Sequence, residues 1–347
     1  MYFYDTMQLI FHRHTLALRH TFTIAHDSRT AQETLIVELH DEKTGLSGLG
    51  EATANPYYGI TVDSMVAALE TVRPVVETQS WQTAEELWAE TQPALAANSF
   101  AQCALDEAAH DLVAKRAGLP LYKFWNLDPA RNPMTNYTIG IDSIENMVSK
   151  MREMLWPIYK IKLGGQANDD LAIIRELRKH TSATFRVDAN GGWTADQTVR
   201  FSPILKNLGV EFIEQPLPAG DWDGQRYVFE HSVLPVIADE SCIVEKDVDK
   251  CITFFQGVNI KLTKCGGLTP ARRMIANARQ HGLRVMVGCM TESSVGISAI
   301  AHLLPLLDYV DMDGSLLIAN DPATGVTFDF GRVVYANENG TGAEMKV

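Results

Sequence analysis

The chain has 347 residues, 46% of them hydrophobic and 21% charged, an ordinary globular composition that excludes the collagen-like, coiled-coil and disordered classes. Its formal net charge of −13 opposes a phosphate backbone and argues against general nucleic-acid binding. Five cysteines without a C-x-x-C pair predict neither a disulfide framework nor a zinc site, and no uncharged apolar stretch approaches the roughly 20 residues of a membrane span. We therefore expect a soluble, cytoplasmic protein that binds neither nucleic acid nor membrane.

Residues 1–125 are predicted to form a separate α+β domain. Segments 21–24 and 34–39 alternate polar and apolar residues, as half-buried antiparallel strands do. Several glycines then predict a turn-rich passage, at positions 45, 48, 50 and 59. Helical periodicity follows over three segments, 63–76, 83–95 and 101–117. Because no charged or low-complexity linker follows, we expect this domain to pack against the rest of the chain and to share its functional site.

Short β-branched runs recur through the rest of the chain, at 136–141, 158–163, 185–188, 211–214, 235–239, 258–261, 284–287 and 309–311. Helical patterns separate several of them, at 169–180, 196–208, 270–281 and 293–307. Strands that alternate with helices predict parallel pairing, and eight such units can close into a barrel. A doubly wound open sheet is the alternative. We favour the barrel, because polar residues follow nearly every strand, where the active sites of barrels assemble.

Three acidic residues, Asp188, Glu214 and Asp239, each follow an apolar strand and succeed one another at intervals of 26 and 25 residues. In a closed barrel their carboxylates would converge, and such groups either raise one another's pKa or recruit a cation. An all-oxygen set of ligands suits Mg²⁺ better than Zn²⁺. We therefore predict one Mg²⁺ per subunit. The alternative is that each acid caps a helix or pairs with a lysine.

Three lysines accompany these acids. Lys160 and Lys162 project from the same face of one strand, and Lys261 follows a strand at least a quarter of the barrel away. A solvated lysine has a pKa near 10.4, but a neighbouring ammonium group, a metal ion and burial all favour the neutral amine. We therefore expect Lys160 to lower the pKa of Lys162. A metal ion between two such bases predicts removal of a proton beside a carboxylate and its return from the opposite face, which is epimerisation. Purely structural ion pairs are the alternative.

Five motifs in this order and spacing resemble the enolase superfamily, and within it the muconate lactonizing enzyme subgroup. They are K-I-K at 160–162, D-A-N-G-G-W at 188–193, E-Q-P at 214–216, D-E-S at 239–241 and N-I-K-L-T-K-C-G-G at 259–267. The resemblance implies a modified (β/α)₇β barrel at 126–319 under a capping domain at 1–125, which the tail at about 320–347 rejoins. It also implies association into a homo-oligomer.

The same resemblance assigns roles to individual residues. Asp188, Glu214 and Asp239 would bind Mg²⁺, with Asn190 and Glu240 beside them. Lys162 and Lys261 would be the two acid/base catalysts. Lys261 is preferred to Lys264 because it directly follows the strand, whereas Lys264 would lie beyond the strand end.

The segment Y-V-D-M-D-G at 309–314 places Asp311 and Asp313 on one face at the mouth of the same barrel. Paired acids attract a cation, and a free α-ammonium group is the obvious small candidate. With G-C-M-T-E-S at 288–293, this segment resembles the dipeptide epimerases, whose D-x-D motif holds the N-terminal ammonium group of the substrate. The resemblance implies an L-Ala-D/L-Xaa dipeptide, and we expect Lys160 and Cys289 to touch it as well. Thr138 is also expected to touch it, because it lies at the end of the first barrel strand, and an ordinary strand threonine is the alternative. A turn-forming pair of aspartates is the alternative.

The side chain of the second substrate residue is expected to meet the loop after Phe22, including His26 and Asp27. In glutamate-specific relatives we expect an arginine near the position of Asp27, whereas here Arg29 follows two residues later. This departure favours a hydrophobic or broad range of second residues over glutamate alone. His26 and Asp27 could equally form a surface pair.

Other reactions remain open on the same scaffold: N-acylamino acid racemisation, o-succinylbenzoate synthesis and muconate cycloisomerisation. None of their substrates presents a free α-ammonium group beyond the reacting carbon. A non-catalytic ligand-binding protein is the remaining alternative, and lysines on both walls of the barrel argue against it.

Overall fold

The computed structural model describes residues 7–24, 27–78, 81–164 and 167–347. Its first part is an antiparallel sheet in the order β1-β2-β3, made of β1 (Met7–Ile24), β2 (Asp27–Asp41) and β3 (Leu46–Thr53). Three helices follow, α1 (Val62–Glu77), α2 (Ala84–Leu95) and α3 (Ser99–Arg116), with a short 3-10 turn at Pro56–Tyr58 before them. Thr61 and Thr83 begin α1 and α2 as capping boxes. The predicted helices and the antiparallel arrangement are therefore confirmed.

The prediction of a turn-rich passage from the glycines at 45, 48, 50 and 59 is wrong for Leu46–Thr53, which form strand β3. The glycines serve a different purpose there. A Cβ atom at Gly48 would lie 2.1 Å from the carbonyl oxygen of Ala108, and one at Gly50 would lie 2.1 Å from that of Ala104. Glycine at these positions therefore lets helix α3 pack directly on the strand backbone. Of the four glycines at 45, 48, 50 and 59, only Gly45 (φ +68°) and Gly59 (φ +69°) have the left-handed conformation of turn glycines.

The second part is an eight-stranded parallel sheet whose strands pair in chain order, as β4 (Tyr137–Ile139), β5 (Ile158–Lys162), β6 (Thr184–Asp188), β7 (Val210–Glu214), β8 (Val236–Ala238), β9 (Gly257–Ile260), β10 (Arg284–Gly288) and β11 (Tyr309–Asp311). A parallel bridge from Thr135 to Val310 brings the two edge strands together and nearly closes the barrel. The predicted barrel is confirmed, and the open doubly wound sheet is not what forms.

Helix α4 (Leu121–Phe124) and a 3-10 turn at Pro129–Arg131 precede the first barrel strand. The helices between successive barrel strands are α5 (Ile144–Glu153), α6 (Ala167–Arg178), α7 (Ala195–Asn207), α8 (Trp222–His231), α9 (Glu245–Cys251), α10 (Leu262–Cys265), α11 (Leu268–Gln280) and α12 (Ser294–Ala301). A 3-10 turn at Leu304–Leu306 precedes β11, and another at Gly314–Leu316 follows it. The helix predicted at 293–307 ends at Ala301, because Pro305 lies in the following 3-10 turn and cannot continue an α-helix. In the described ranges, no helix is both long enough and apolar enough to cross a bilayer.

The tail contains four short strands, β12 (Ala323–Thr324), β13 (Thr327–Asp329), β14 (Arg332–Val334) and β15 (Glu344–Met345). The residues that lead from the barrel into the tail contact strand β1: the Arg19 amide donates to the Leu317 carbonyl at 2.9 Å, and the Ala319 amide donates to the Ala17 carbonyl at 2.8 Å. Further along, the Thr341 amide donates to Asp111 of helix α3 at 2.6 Å. The chain therefore ends against its own N-terminal part.

Side chains within the barrel confine the site to one end. Phe212, Ile237 and Met286 form a fully buried apolar cluster inside the sheet. Phe212 is two residues before Glu214, and alternate residues of a strand face the same side. The cluster therefore fills the barrel below the strand ends, and the polar residues gather at the carboxyl ends of the strands.

Candidate active site

The three predicted metal ligands meet at the carboxyl ends of adjacent strands. Asp188 and Glu214 are the last residues of β6 and β7, and Asp239 directly follows β8. Their carboxylate oxygens lie within 4.8 Å of one another, and the side chains are 0%, 0% and 2% exposed. We call these three residues the acid triad. Three carboxylates this close repel one another strongly unless cations neutralise them.

The two predicted bases lie on opposite walls of the barrel. Lys162 is the last residue of β5, and Lys261 directly follows β9. Around the barrel, three strands lie between β5 and β9 in either direction. Lys162 Nζ lies 2.6 Å from Asp188 Oδ2, and Lys261 Nζ lies 2.9 Å from Asp239 Oδ2. Each amine therefore reaches the acid triad from its own side, through a different aspartate.

Lys160 lies fully buried between the acid triad and the end of β11. Its Nζ is 2.7 Å from Glu214 Oε2, 2.8 Å from Asp311 Oδ2 and 3.2 Å from Asp188 Oδ2. Burial alone would lower the pKa of Lys160, but the surrounding carboxylates, Asp311 first, raise it well above its usual value. This raised pKa favours the ammonium form of Lys160. The pKa of Lys261 is raised in the same way, because Asp239 outweighs the effect of burial.

Lys264 lies beyond the strand end, as expected, yet its side chain belongs to the site, which was not predicted. Its Nζ donates to Asp239 Oδ1 at 2.6 Å and to the Asp239 carbonyl oxygen at 2.7 Å. The four-residue helix α10 turns the chain back after the strand, so that Lys264, although beyond the strand end, is buried against the acid triad. The i, i+3 spacing from Lys261 was the signal available in the sequence. Asn259, which donates to Glu214 Oε1 at 2.8 Å, was also missed, although it is two residues before Lys261.

The charges around the cavity fit a divalent cation. Six carboxyl groups (Asp188, Glu214, Asp239, Glu240, Asp311 and Asp313) surround four lysines (Lys160, Lys162, Lys261 and Lys264). If all are ionised, two negative charges remain, which one Mg²⁺ ion would balance. Burial and the neighbouring Asp188 raise the pKa of Glu214 to about 7, although Lys160 acts in the opposite direction.

Asn190 and Glu240 lie beside the acid triad, as expected. The Asn190 backbone amide donates to Asp188 Oδ1 at 3.0 Å, and its side-chain amide donates to Glu240 Oε1 at 3.1 Å. The other oxygen, Glu240 Oε2, is buried and has no hydrogen-bond partner in the part of the chain that the structure describes. An unsatisfied buried carboxylate oxygen next to Asp239 fits a site that binds a cation or an ordered polar ligand.

A second acidic group lies at the end of β11. Asp311 Oδ1 accepts from the Asn136 amide at 2.7 Å, and Asp313 Oδ2 accepts from the Thr138 backbone amide at 2.5 Å. The Cys289 thiol lies within 4.8 Å of both carboxylates. We call Asp311 and Asp313 the acid pair. Thr138 therefore supports Asp313 and also lines the cavity, as Cys289 does.

The two members of the acid pair differ in charge. Burial would raise the pKa of Asp311, but the ammonium group of Lys160 holds it well below the usual range. Burial and the neighbouring Asp311 raise the pKa of Asp313 to about 8. At neutral pH in the free protein the pair therefore carries one negative charge and one proton, and an incoming cation would favour the doubly ionised form.

A cavity of about 360 Å³ joins these groups and opens beneath the N-terminal part of the chain. Its barrel wall includes the catalytic candidates and the acid pair, and its other wall is formed by Phe22, Ile24, Asp27, Arg29 and residues 55–58. Asp27 therefore lies at the cavity as predicted, with its Oδ2 3.6 Å from Arg29 Nε. His26 lies outside the described residues.

Two family models match the chain over most of its length. The mandelate racemase / muconate lactonizing enzyme N-terminal domain matches residues 7–125, and the enolase C-terminal domain-like model matches residues 143–346. The chain belongs to the enolase superfamily. The resemblance found in the sequence is thereby confirmed, as is the fold that it implied.

Individual members of the superfamily are similar to this chain over nearly its full length. The L-Ala-D/L-amino acid epimerase of Flavobacterium johnsoniae is 59% identical, with 98% of this chain and 100% of that protein covered. A substrate-liganded L-Ala-D/L-Glu epimerase from Bacillus subtilis superposes with a TM-score of 0.92 at 28% identity, covering 98% of both chains. A dipeptide epimerase from Cytophaga hutchinsonii, complexed with Mg and D-Ala-L-Val, gives a TM-score of 0.91 at 26% identity over 98% of this chain and 95% of that one.

Proposed function

We propose that this protein is an Mg²⁺-dependent dipeptide epimerase, an isomerase that inverts the α-carbon of the second residue of L-Ala-D/L-Xaa dipeptides. The observation that carries the proposal is the placement of Lys162 and Lys261 on opposite walls, each against the acid triad, with the acid pair at the other end of one cavity. The similarity to relatives that are dipeptide epimerases supports the same substrate class.

Asp188, Glu214 and Asp239 would hold the Mg²⁺ ion. When bound, Mg²⁺ supplies a Lewis acid that stabilises the negative charge developing on the substrate carboxylate as the α-proton leaves. The support for this assignment is the oxygen-only set of ligands and the unsatisfied oxygen of Glu240. The structure of the Cytophaga hutchinsonii relative contains Mg, which agrees with this assignment.

Lys162 and Lys261 would exchange one proton across the α-carbon. The base on one face, present as a neutral amine, takes the α-proton, and the substrate becomes a planar enediolate. The base on the other face, present as an ammonium ion, then donates its proton to the same carbon. One proton enters and one leaves, so the two lysines exchange protonation states with each inversion, and the reaction runs in both directions.

The acid pair would hold the α-ammonium group of the first residue. Lys160 contacts both Glu214 and Asp311, so the two ends of the site are linked through one buried cation. A substrate with its carboxylate at the metal ion and its ammonium group at the acid pair places the second α-carbon between the lysines. This arrangement favours a dipeptide over an N-acylamino acid or a muconate, because those molecules have no ammonium group to satisfy the acid pair.

The wall that faces the second side chain supports a broad range that includes hydrophobic residues. Phe22, Ile24 and Leu317 give this part of the cavity an apolar surface. Arg29, the one cation described on that wall, lies beside Asp27 and donates to Gln32 at 2.5 Å. An arginine that already has polar partners selects less strongly for an acidic side chain. In this proposal residues 1–125 and the tail at about 320–347 form the cap, and residues 126–319 form the catalytic barrel.

The decisive experiment incubates L-Ala-L-Xaa dipeptides with the enzyme and Mg²⁺ in D₂O and follows the products by NMR. We expect the L,D epimer to appear and deuterium to enter only the α-carbon of the second residue. Deuterium in the alanine residue would contradict the proposed orientation. Turnover of N-acylamino acids without turnover of any dipeptide would instead favour a racemase.

A further inference from the structure

Glu51 of strand β3 reaches out of the N-terminal sheet and binds the start of the barrel helix α12. Its carboxylate accepts from the Ser293 amide at 3.0 Å, from the Ser293 hydroxyl at 2.5 Å and from the Gly296 amide at 3.0 Å. It also accepts from the Thr34 hydroxyl at 2.7 Å. Glu51 is 1% exposed, and all of these partners are donors, which is the arrangement that a carboxylate requires. An acid from one part of the chain therefore satisfies the helix start of the other.

The helix start that Glu51 holds is attached to a wall of the cavity. Residues 289–292 run from the end of β10 to Ser293, and Cys289, Met290 and Thr291 line the cavity. We call residues 289–292 the β10–α12 loop. Glu292 Oε1 accepts from the Met290 amide at 2.9 Å and so closes a turn within the loop.

The β10–α12 loop packs directly against the acid pair. The Cys289 amide donates to the Asp311 carbonyl at 2.8 Å, and the Cys289 thiol lies within 4.8 Å of both carboxylates. Gly314 follows Asp313, and a Cβ atom there would lie 2.8 Å from the Glu292 nitrogen and 2.8 Å from the Met290 carbonyl oxygen. The backbone after Asp313 is thus in contact with the loop, and a displacement of the loop displaces the acid pair.

We propose that Glu51 is a positioning residue for the ammonium-binding end of the site, acting through the β10–α12 loop. It touches none of the groups assigned to the proton transfer. The inference rests on the proposed function, since it assumes that the acid pair binds the substrate ammonium group. It goes further by giving the N-terminal sheet a part in binding the first residue, in addition to covering the second.

The variant Glu51→Gln tests this inference. A glutamine keeps the size of the side chain but removes the negative charge and replaces one of the two acceptor oxygens by an NH₂ group, so the bonds to the Ser293 and Gly296 donors become weaker and the helix start is held less firmly. With L-Ala-L-Leu and saturating Mg²⁺, we expect KM to rise about tenfold or more while kcat changes by less than about threefold. The matched control is Glu38→Gln, whose carboxylate binds His12 and Ser47 of the same sheet and should leave both constants unchanged.

A ligand without the ammonium group distinguishes positioning from general damage. Propionyl-L-leucine has the shape of the dipeptide but lacks this group, and its inhibition constant against dipeptide turnover should be the same in the wild type and in Glu51→Gln. An unchanged KM for the dipeptide overturns the inference, as does an equal loss for the dipeptide and the inhibitor. If Glu51→Gln does not fold, Ser293→Ala removes one of the same bonds and is judged by the same two results. A wild-type enzyme that turns over no dipeptide refutes the proposed function instead.

Discussion

Lys160 and Asp311, separated by 151 residues in the chain, meet inside the barrel with Nζ 2.8 Å from Oδ2. The same ammonium group contacts Glu214 and Asp188 of the acid triad. The two acidic ends of the cavity therefore share one counter-ion. Because such close charges are coupled in a buried site, a change at either end alters the ionisation of the other.

Variants that lack Lys162 or Lys261 should each lose epimerisation and should retain α-proton exchange for opposite epimers. Lys162→Ala and Lys261→Ala should each lose epimerisation by at least about a thousandfold, since general-base catalysis contributes 10²–10⁴ and inversion needs both bases. Each variant retains one base and should still exchange the α-proton of one epimer with D₂O. We expect the two variants to retain opposite epimers, which NMR of the L,L and L,D dipeptides would reveal.

Lys250→Ala is the control for these variants, because this exposed lysine pairs with Asp247 on the outside of the barrel. It should keep wild-type turnover and exchange of both epimers. Exchange of the same epimer by both active-site variants would place the two amines on one face and contradict the two-base mechanism.

Removal of Mg²⁺ should abolish activity and lower thermal stability together. A ligand that binds only the native state at about 100 times its Kd stabilises it by about 2.7 kcal/mol, which for this chain length is a rise in Tm of several degrees. Asp188→Asn should lose both the calorimetric heat of Mg²⁺ binding and this rise. Glu245→Gln, an exposed acid paired with Arg273, should keep both. A wild-type Tm that does not respond to Mg²⁺ or to a chelator would argue against the assigned ligands.

The affinity for dipeptides should depend on pH through Asp313. Its pKa is raised to about 8 by burial and by Asp311, so it is mostly neutral at pH 6 and becomes ionised as the pH passes 8. An ionised acid pair holds an ammonium group better, so kcat/KM should rise between pH 6 and pH 8. It should then fall as the α-ammonium group of the substrate, with a pKa near 8, loses its proton. In Asp313→Asn, kcat/KM should be lower at every pH, and the rise between pH 6 and pH 8 that Asp313 causes should be absent. An identical pH profile in the variant would show that another group causes it.

The barrel and the convergence of the acid triad could be predicted from the sequence, because both follow from periodic features. The interval of 22 to 26 residues between polar strand ends corresponds to one strand and one helix, and the order of the strands then brings Asp188, Glu214 and Asp239 together. The same strand order places Lys162 and Lys261 on opposite walls of the barrel.

The features that sequence reasoning missed depend on contacts between distant residues. Gly48 and Gly50 suggested turns, yet they serve the approach of helix α3, which begins about fifty residues later in the chain. The contact of Lys264 with Asp239 depends on the short helix α10, which brings this lysine back towards the strand ends and has no clear signal in the sequence. Glu51 shows no periodic signal of function, since its partners are Ser293 and Gly296 at the other end of the chain.

The preference for the second residue should change when Arg29 loses its acidic neighbour. Arg29 lies on the cavity wall beside Asp27, with its guanidinium carbon 5.8 Å from the centre of the Phe22 ring. In Asp27→Asn the guanidinium group keeps its charge but loses a nearby carboxylate, so a distal carboxylate of the substrate can take that place. An exposed or half-buried ion pair contributes up to about 1 kcal/mol, which is about fivefold. The ratio of kcat/KM for L-Ala-L-Glu to that for L-Ala-L-Leu should therefore rise about fivefold.

In the double variant Asp27→Asn/Arg29→Met the ratio should fall back to the wild-type value or below, because Arg29 is then absent. If the ratio does not change in Asp27→Asn, the second side chain lies elsewhere in the cavity and this wall does not set the specificity.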